Sequence, residues 1–167
     1  MRAGAISFII IIALLFSLAS CYNEPEGFGH AELRLDLPRS FTDYDTGDAY
    51  DAAYSREGMV VGILRLSFEM CRREGVPTNM SPTKFAEFYQ KRAGNIAGKI
   101  EVEGDIPYFT YTLLGGDNLS YTYMPTFYQS FYAYFVVTFI TRTDDFESER
   151  VNISDYLTGV SLDYSKI

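Results

Sequence analysis

The alternation of polar and apolar positions changes period several times along the chain, and each change marks a different element. From Ala3 to Phe16 nearly every residue is apolar, with Ile9-Ile10-Ile11-Ile12 at the centre. Residues 22–30 carry Pro25, Gly27 and Gly29, a poor helix or strand and so a connection. Ala31 to Leu37 then alternates, with Leu33, Leu35 and Leu37 to one side and Arg34 and Asp36 to the other. This predicts a strand, ended by Pro38. Residues 39–57 are polar and acidic around Gly47 and predict a loop. Met59 to Phe68 is a continuous apolar run broken by Arg65, which predicts a strand buried on both faces. Arg72, Arg73, Gly75 and Pro77 make residues 71–80 a connection.

The period then becomes helical. Ser81-Pro82 pairs an N-cap residue with a proline at the first helical position. Phe85, Phe88 and Tyr89 fall on one face, Lys84, Glu87 and Lys91 on the other, and Glu87 to Lys91 has favourable i,i+4 spacing. Gly94 or Gly98 ends this helix. Period two returns at Lys99–Glu103 and Ile106–Leu114, and Gly115-Gly116-Asp117-Asn118 predicts a hairpin turn. Leu119–Phe127 and Phe131–Arg142 read as two further strands. On the last, Phe131, Ala133, Phe135, Val137 and Phe139 share one face. Asp144-Asp145 precedes a weakly amphipathic segment from Phe146 to Leu157 and suits a helix start there. Gly159 stops it, and Val160–Tyr164 predicts a short final strand.

Strand, strand, helix, antiparallel meander and closing helix make an α+β domain: an antiparallel sheet with a helix between strand pairs and a C-terminal helix. This order, with aromatic-rich late strands running into the closing helix, resembles the PsbP/DcrB-like sandwich over most of residues 31–164. The resemblance implies a binding or assembly factor rather than an enzyme. It transfers no site residue.

The start of the chain has a different kind of meaning. Met1-Arg2, the apolar run and small residues before a cut site form a secretory signal. Leu18-Ala19-Ser20-Cys21 resembles the lipobox of bacterial lipoproteins: an aliphatic residue, two small residues and a cysteine. That resemblance implies a diacylglyceryl group on the Cys21 thiol and cleavage just before it. An uncleaved membrane anchor and an ordinary signal peptide are the competing readings. On the lipoprotein reading, residues 1–20 are the signal and residues 21–30 the lipidated cysteine and tether. Residues 31–167 are one globular domain outside the cytoplasm, at the cell membrane or an outer membrane. The tether reaches about 30 Å at full stretch.

Composition adds two constraints. The formal charge of −8 disfavours nucleic acid. With Cys21 lipidated, Cys71 has no partner in the chain, so it reads as a small buried thiol and stability must come from the core.

Few residues suggest chemistry. His30, the only histidine, sits at the tether and leaves no His-based triad inside the domain. Asp43, Asp45 and Asp48 surround Gly47 and offer a weak calcium candidate. Gly47 is one place early for an EF-hand loop, however, and Tyr54 stands where the closing Glu belongs. Glu101 and Glu103, two apart on a strand, share a face at about 6.5–7 Å. Paired carboxylates at that distance can run glycoside hydrolysis, while charges on an exposed strand are the commoner use of such residues. The tyrosines are the strongest feature, crowding the hairpin between Tyr108 and Tyr134. Tyr121 and Tyr123 share one strand face, and Tyr132 and Tyr134 one face of the next. Aromatic rings with hydroxyl tips suit an envelope protein or small ligand; covered by a helix, the same residues are core. The expectation is a membrane-anchored accessory or binding domain without cofactor, held at the membrane through Cys21. The alternatives are a lipid-anchored, carboxylate-dependent hydrolase and a structural subunit of an envelope assembly.

Overall fold

The structure, a computed structural model, describes residues 33–94 and 97–162. Cys21, the lipobox and His30 lie outside the described residues. β1 (Leu33–Leu35) is followed by β2 (Thr42–Asp43), a 3-10 turn at Gly47–Ala49, β3 (Ala52–Arg56) and β4 (Met59–Ser67). Two helices come next, α1 (Phe68–Arg73) and α2 (Pro82–Ala93). The meander is β5 (Glu101–Glu103), β6 (Ile106–Tyr108), β7 (Tyr111–Leu114), β8 (Ser120–Gln129) and β9 (Ala133–Arg142). α3 (Phe146–Thr158) and β10 (Val160–Leu162) close the chain. The α+β class, with a helix between strand pairs and a C-terminal helix, is therefore the observed one. The helix between strand pairs, the antiparallel meander and the closing helix on which the PsbP/DcrB-like resemblance rested are all present, with β2, β3 and α1 as additional elements.

The main sheet runs β2-β3-β4-β9-β8-β6-β5, with β7 also paired to β8, and every pairing is antiparallel. β1 and β10 pair as a separate ribbon. Both faces of the main sheet are covered. One packs Phe135, Val137 and Phe139 against Ile153 and Leu157 of α3, with Leu33, Leu35 and Leu37 at its border. The other packs Leu66, Phe127, Tyr134 and Val136 against Phe85 and Ala86 of α2. This two-sided burial explains why β9 is apolar at both odd and even positions, since a central strand covered on both faces has no wet side.

Several local expectations are corrected. Residues 39–57 are not one loop. Thr42–Asp43 and Ala52–Arg56 pair into the sheet, and Gly58, at φ 80°, turns the chain from β3 to β4. Residues 71–80 are not all connection: Phe68–Arg73 forms α1, capped by the Ser67 hydroxyl accepting from the Met70 N–H at 3.1 Å. Ile106–Leu114 breaks into β6 and β7, and both lie along β8. Pro125 falls between Tyr123, the last β7 partner, and Thr126, the β6 partner. A residue without an N–H is tolerated at such a break in a ladder. Phe131 lies outside β9 and is 67% exposed, not part of the buried face that holds Phe135, Val137 and Phe139. The ion pair on α2 joins Lys84 to Glu87 at 2.8 Å, one turn earlier than the Glu87–Lys91 spacing suggested.

α2 itself forms where expected. The Ser81 hydroxyl accepts from the Lys84 N–H, Pro82 occupies the first turn, and Gly94 at φ 73° ends the helix. Phe85 faces the sheet and stacks on Tyr134 with ring centres 4.1 Å apart. No helix among the described residues is long and apolar enough to cross a membrane.

Candidate functional site

The tyrosines divide by strand parity and by the reach of α2. On β8, Tyr121, Tyr123 and Phe127 point to the α2 face, as do Tyr111 and Leu113 on β7. The register sets Tyr123 beside Tyr111 and Tyr121 beside Leu113. The Tyr111 and Tyr123 rings stack, with centres 5.1 Å apart and planes 7° from parallel. Across the sheet the same row continues through Ile140 of β9 and Val60 of β4. Near Phe127 and Phe109 this face is sealed by Phe85 and Tyr89 of α2. Further along, Val60, Leu113, Tyr121, Tyr123 and Ile140 are only half-buried. The result is a shallow aromatic floor at one end of the sheet.

Tyr50 completes it. Its ring lies over Gly62, where an added Cβ would come within 2.6 Å of the ring. Only glycine leaves room for that crossing. Burial raises the Tyr50 hydroxyl well above its ordinary pKa, with Tyr89 nearby adding to the effect and a hydrogen bond with Thr138 opposing it. Burial likewise pushes Tyr89 up to about 12 and raises Tyr111 and Tyr123. All four hydroxyls therefore stay protonated across physiological pH. A neutral phenol of this kind cannot serve as a general base, and of the four only Tyr123 is open enough for its hydroxyl to meet a bound polar group. Tyr121 at the rim donates to Asp117 at 2.7 Å, which lowers the Asp117 carboxyl. Gly115 has to be small, because a Cβ would meet Asp117 Oδ1 at 2.7 Å and the Tyr121 ring at 2.8 Å.

The four tyrosines singled out from the sequence do not form one surface. Tyr121 and Tyr123 lie on the aromatic floor. Tyr134 is fully buried under α2, and its inclusion in a binding surface is corrected. The Tyr134 hydroxyl accepts from the Met80 N–H at 2.9 Å and lies 3.2 Å from the Pro77 and Met80 carbonyls. It thus ties the α1–α2 connection to the sheet. Tyr132 stands 48% exposed in the β8–β9 turn, past the far end of β8. Tyr50 was missed, and Tyr89 was placed only on the apolar face of α2. The available signal for Tyr50 was the Ala52-Ala53-Tyr54-Ser55-Arg56 segment before Glu57-Gly58, a strand leading into a turn. Taken as such, it would have brought Tyr50 to the sheet.

The carboxylate candidates have structural partners. Glu101 accepts from the Tyr108 hydroxyl at 2.9 Å. Glu103 is ion-paired with Arg150 of α3, which also donates to the Tyr108 hydroxyl at 3.1 Å and covers the Tyr108 ring at 5.0 Å. Burial alone would raise Glu103. Hydrogen bonds from Ser154 and Arg150 outweigh that and lower it. A carboxyl held ionised in this way is a poor general acid. Asp45 accepts from the Gly47 N–H at 2.8 Å, the self-capping of a tight turn. Among the described residues no group of three or more His, Cys, Asp or Glu is placed to hold a metal ion. Cys71 is buried, and burial pushes its thiol up to about 11, away from reactivity.

No protein-family model matches the chain, and no curated protein sequence does. Solved structures do. A crystal structure from Bacteroides thetaiotaomicron VPI-5482 is similar at a TM-score of 0.55 and 11% identity, over 80% of this chain. The match spans only 46% of that longer chain. The cyanobacterial PsbP (CyanoP) of Synechocystis sp. PCC 6803 is similar at 0.48 and 11% identity, over 84% of this chain and 98% of its own. LpqN of Mycobacterium tuberculosis, involved in cell envelope biogenesis, is similar at 0.46 and 11% identity, over 84% and 87%. At such identities the likeness to the Bacteroides structure is one of fold alone.

Proposed function

We propose that the chain is a lipid-anchored bacterial envelope protein whose domain binds a partner without turning it over. The anchor reading rests on the lipobox Leu18-Ala19-Ser20-Cys21 at the end of the apolar run. Membership of the PsbP/DcrB-like group belongs to the same reading and rests on element order. The single observation that supports binding is the half-exposed floor of Tyr111, Tyr121 and Tyr123, continued by Leu113, Ile140 and Val60. The rings are held by stacking and by strand register, so little side-chain entropy is lost when a ligand settles on them. The partly exposed Tyr123 hydroxyl, neutral at physiological pH, can orient a polar group on that ligand. The hydrolase alternative is disfavoured because Glu103 is committed to Arg150.

The test is capture from solubilised envelope by wild type and by Tyr121→Ala/Tyr123→Ala, after circular dichroism shows equal folding. The double variant is expected to lose the captured partner. Equal capture would remove the floor from the reading, and turnover that disappears in Glu103→Gln would favour the hydrolase.

A further inference from the structure

The β8–β9 turn shows two consecutive aromatics to solvent at the tip of the longest hairpin: Phe131 is 67% exposed and Tyr132 48%. Their exposure is imposed by a well-held backbone. Ser130 donates its N–H to the Ala133 carbonyl at 2.9 Å, and its hydroxyl accepts from the N–H groups of Tyr132 and Ala133 at 3.2 and 3.1 Å. The Tyr132 carbonyl accepts from the Phe68 N–H at 2.7 Å, which locks the turn to the start of α1. α1 and its C-cap add exposed Glu69, Arg72, Arg73 and Glu74, two of each sign, so no net charge accompanies them in a chain of net −8.

We propose that Phe131 and Tyr132 form a tip that enters the headgroup region of the bilayer and sets the orientation of the anchored domain. This rests on the anchored reading above. The stretch from Cys21 to the first described strand at Leu33 reaches only about 40 Å when fully extended. A globule of this length has a radius of gyration of about 14 Å. The domain therefore stays within roughly its own diameter of the membrane, and the bilayer is the apolar phase that the tip meets when that side of the domain turns toward it. Aromatic rings, above all those with a polar edge such as tyrosine, settle at the level of the headgroups. Acyl chains on Cys21 would supply the affinity. The tip then selects which side of the domain faces the membrane.

The chain contains no tryptophan, so Phe131→Trp places a single reporter at the tip. Leu114→Trp is the control, 65% exposed at the opposite end of β8, about 33 Å away along ten strand residues. The full-length protein is reconstituted in phosphatidylethanolamine/phosphatidylglycerol vesicles whose acyl chains carry bromine near the headgroups. Phe131→Trp is expected to shift its emission to the blue and to be quenched severalfold more than Leu114→Trp. Equal quenching at the two positions overturns the tip. The mass of the same sample reads the anchor separately. A chain that keeps residues 1–20 and lacks lipid on Cys21 refutes the lipoprotein reading. It is still held at the bilayer by its apolar run, so the quenching still decides the tip.

Discussion

Tyrosine has several different uses in this protein, and its environment decides which. Tyr134 is a core ring whose hydroxyl holds a loop. Tyr121 is a rim group paired with Asp117. Tyr132 stands in solvent. Composition and period identify where tyrosines concentrate, but each of these side chains depends on which element lies above it. The phenylalanines inside β9 were more legible. Phe135 and Phe139 share a strand face and are both buried, as alternation predicted, because two residues apart on a strand always share a face. Phe135→Ala is expected to cost about 3–5 kcal/mol, since α3 and β4 cannot collapse fully into the space left. Thermal unfolding of the folded variant measures it. An unchanged melting temperature would contradict the packing of Phe135 in the core beneath α3.

At the level of elements, α3 is attached by two ion pairs that reach to opposite sides of it. Glu149 pairs with Arg56 at the β3–β4 turn, and Arg150 pairs with Glu103 on β5. The helix was visible in the sequence, but these partners were not, because they lie 93 and 47 residues away. The hydrogen bond from Arg56 is the main reason the Glu149 carboxyl is lowered, with burial opposing it. The sign of the linkage follows. A carboxylate whose folded pKa lies below its unfolded value of about 4.3 contributes stability above that value. The contribution is lost as pH falls through the folded pKa. The melting temperature of wild type is therefore expected to fall as pH drops below about 4.3. Glu149→Gln is expected to be less stable at pH 7, by about 1–2 kcal/mol, and to show a shallower acid decline. Parallel pH profiles would show that the pair adds nothing to α3 docking.

For the whole molecule, a sheet covered on both faces leaves little room for an enclosed site and places the available chemistry at its ends. The aromatic floor lies at the β7–β8 end and the Phe131–Tyr132 tip at the other. If the tip meets the bilayer, the floor at the opposite end of the long hairpin is turned toward the envelope space, where a partner can reach it. All of this depends on the anchor. Cys21→Ser is expected to abolish incorporation of labelled fatty acid and to leave a precursor larger by residues 1–20, seen as slower migration on a gel. Normal processing and labelling of the variant would remove the lipobox reading.

Local pattern alone determined the α+β class, the capped helix at Ser81-Pro82, the turn at Gly115–Asn118, the closing helix and the short strand after Gly159. Each follows from contacts within a few residues: a cap, a turn residue or a repeat of two or 3.6. Tertiary structure alone decided that Thr42–Asp43 and Ala52–Arg56 join the sheet and that β6 and β7 share β8. It also decided that Tyr134 is sealed while Tyr123 is not, and that Glu103 answers to Arg150. Those outcomes depend on pairing between distant segments and on where α2 ends above the sheet. Hydrophobic period encodes which face a residue takes, but not what covers that face.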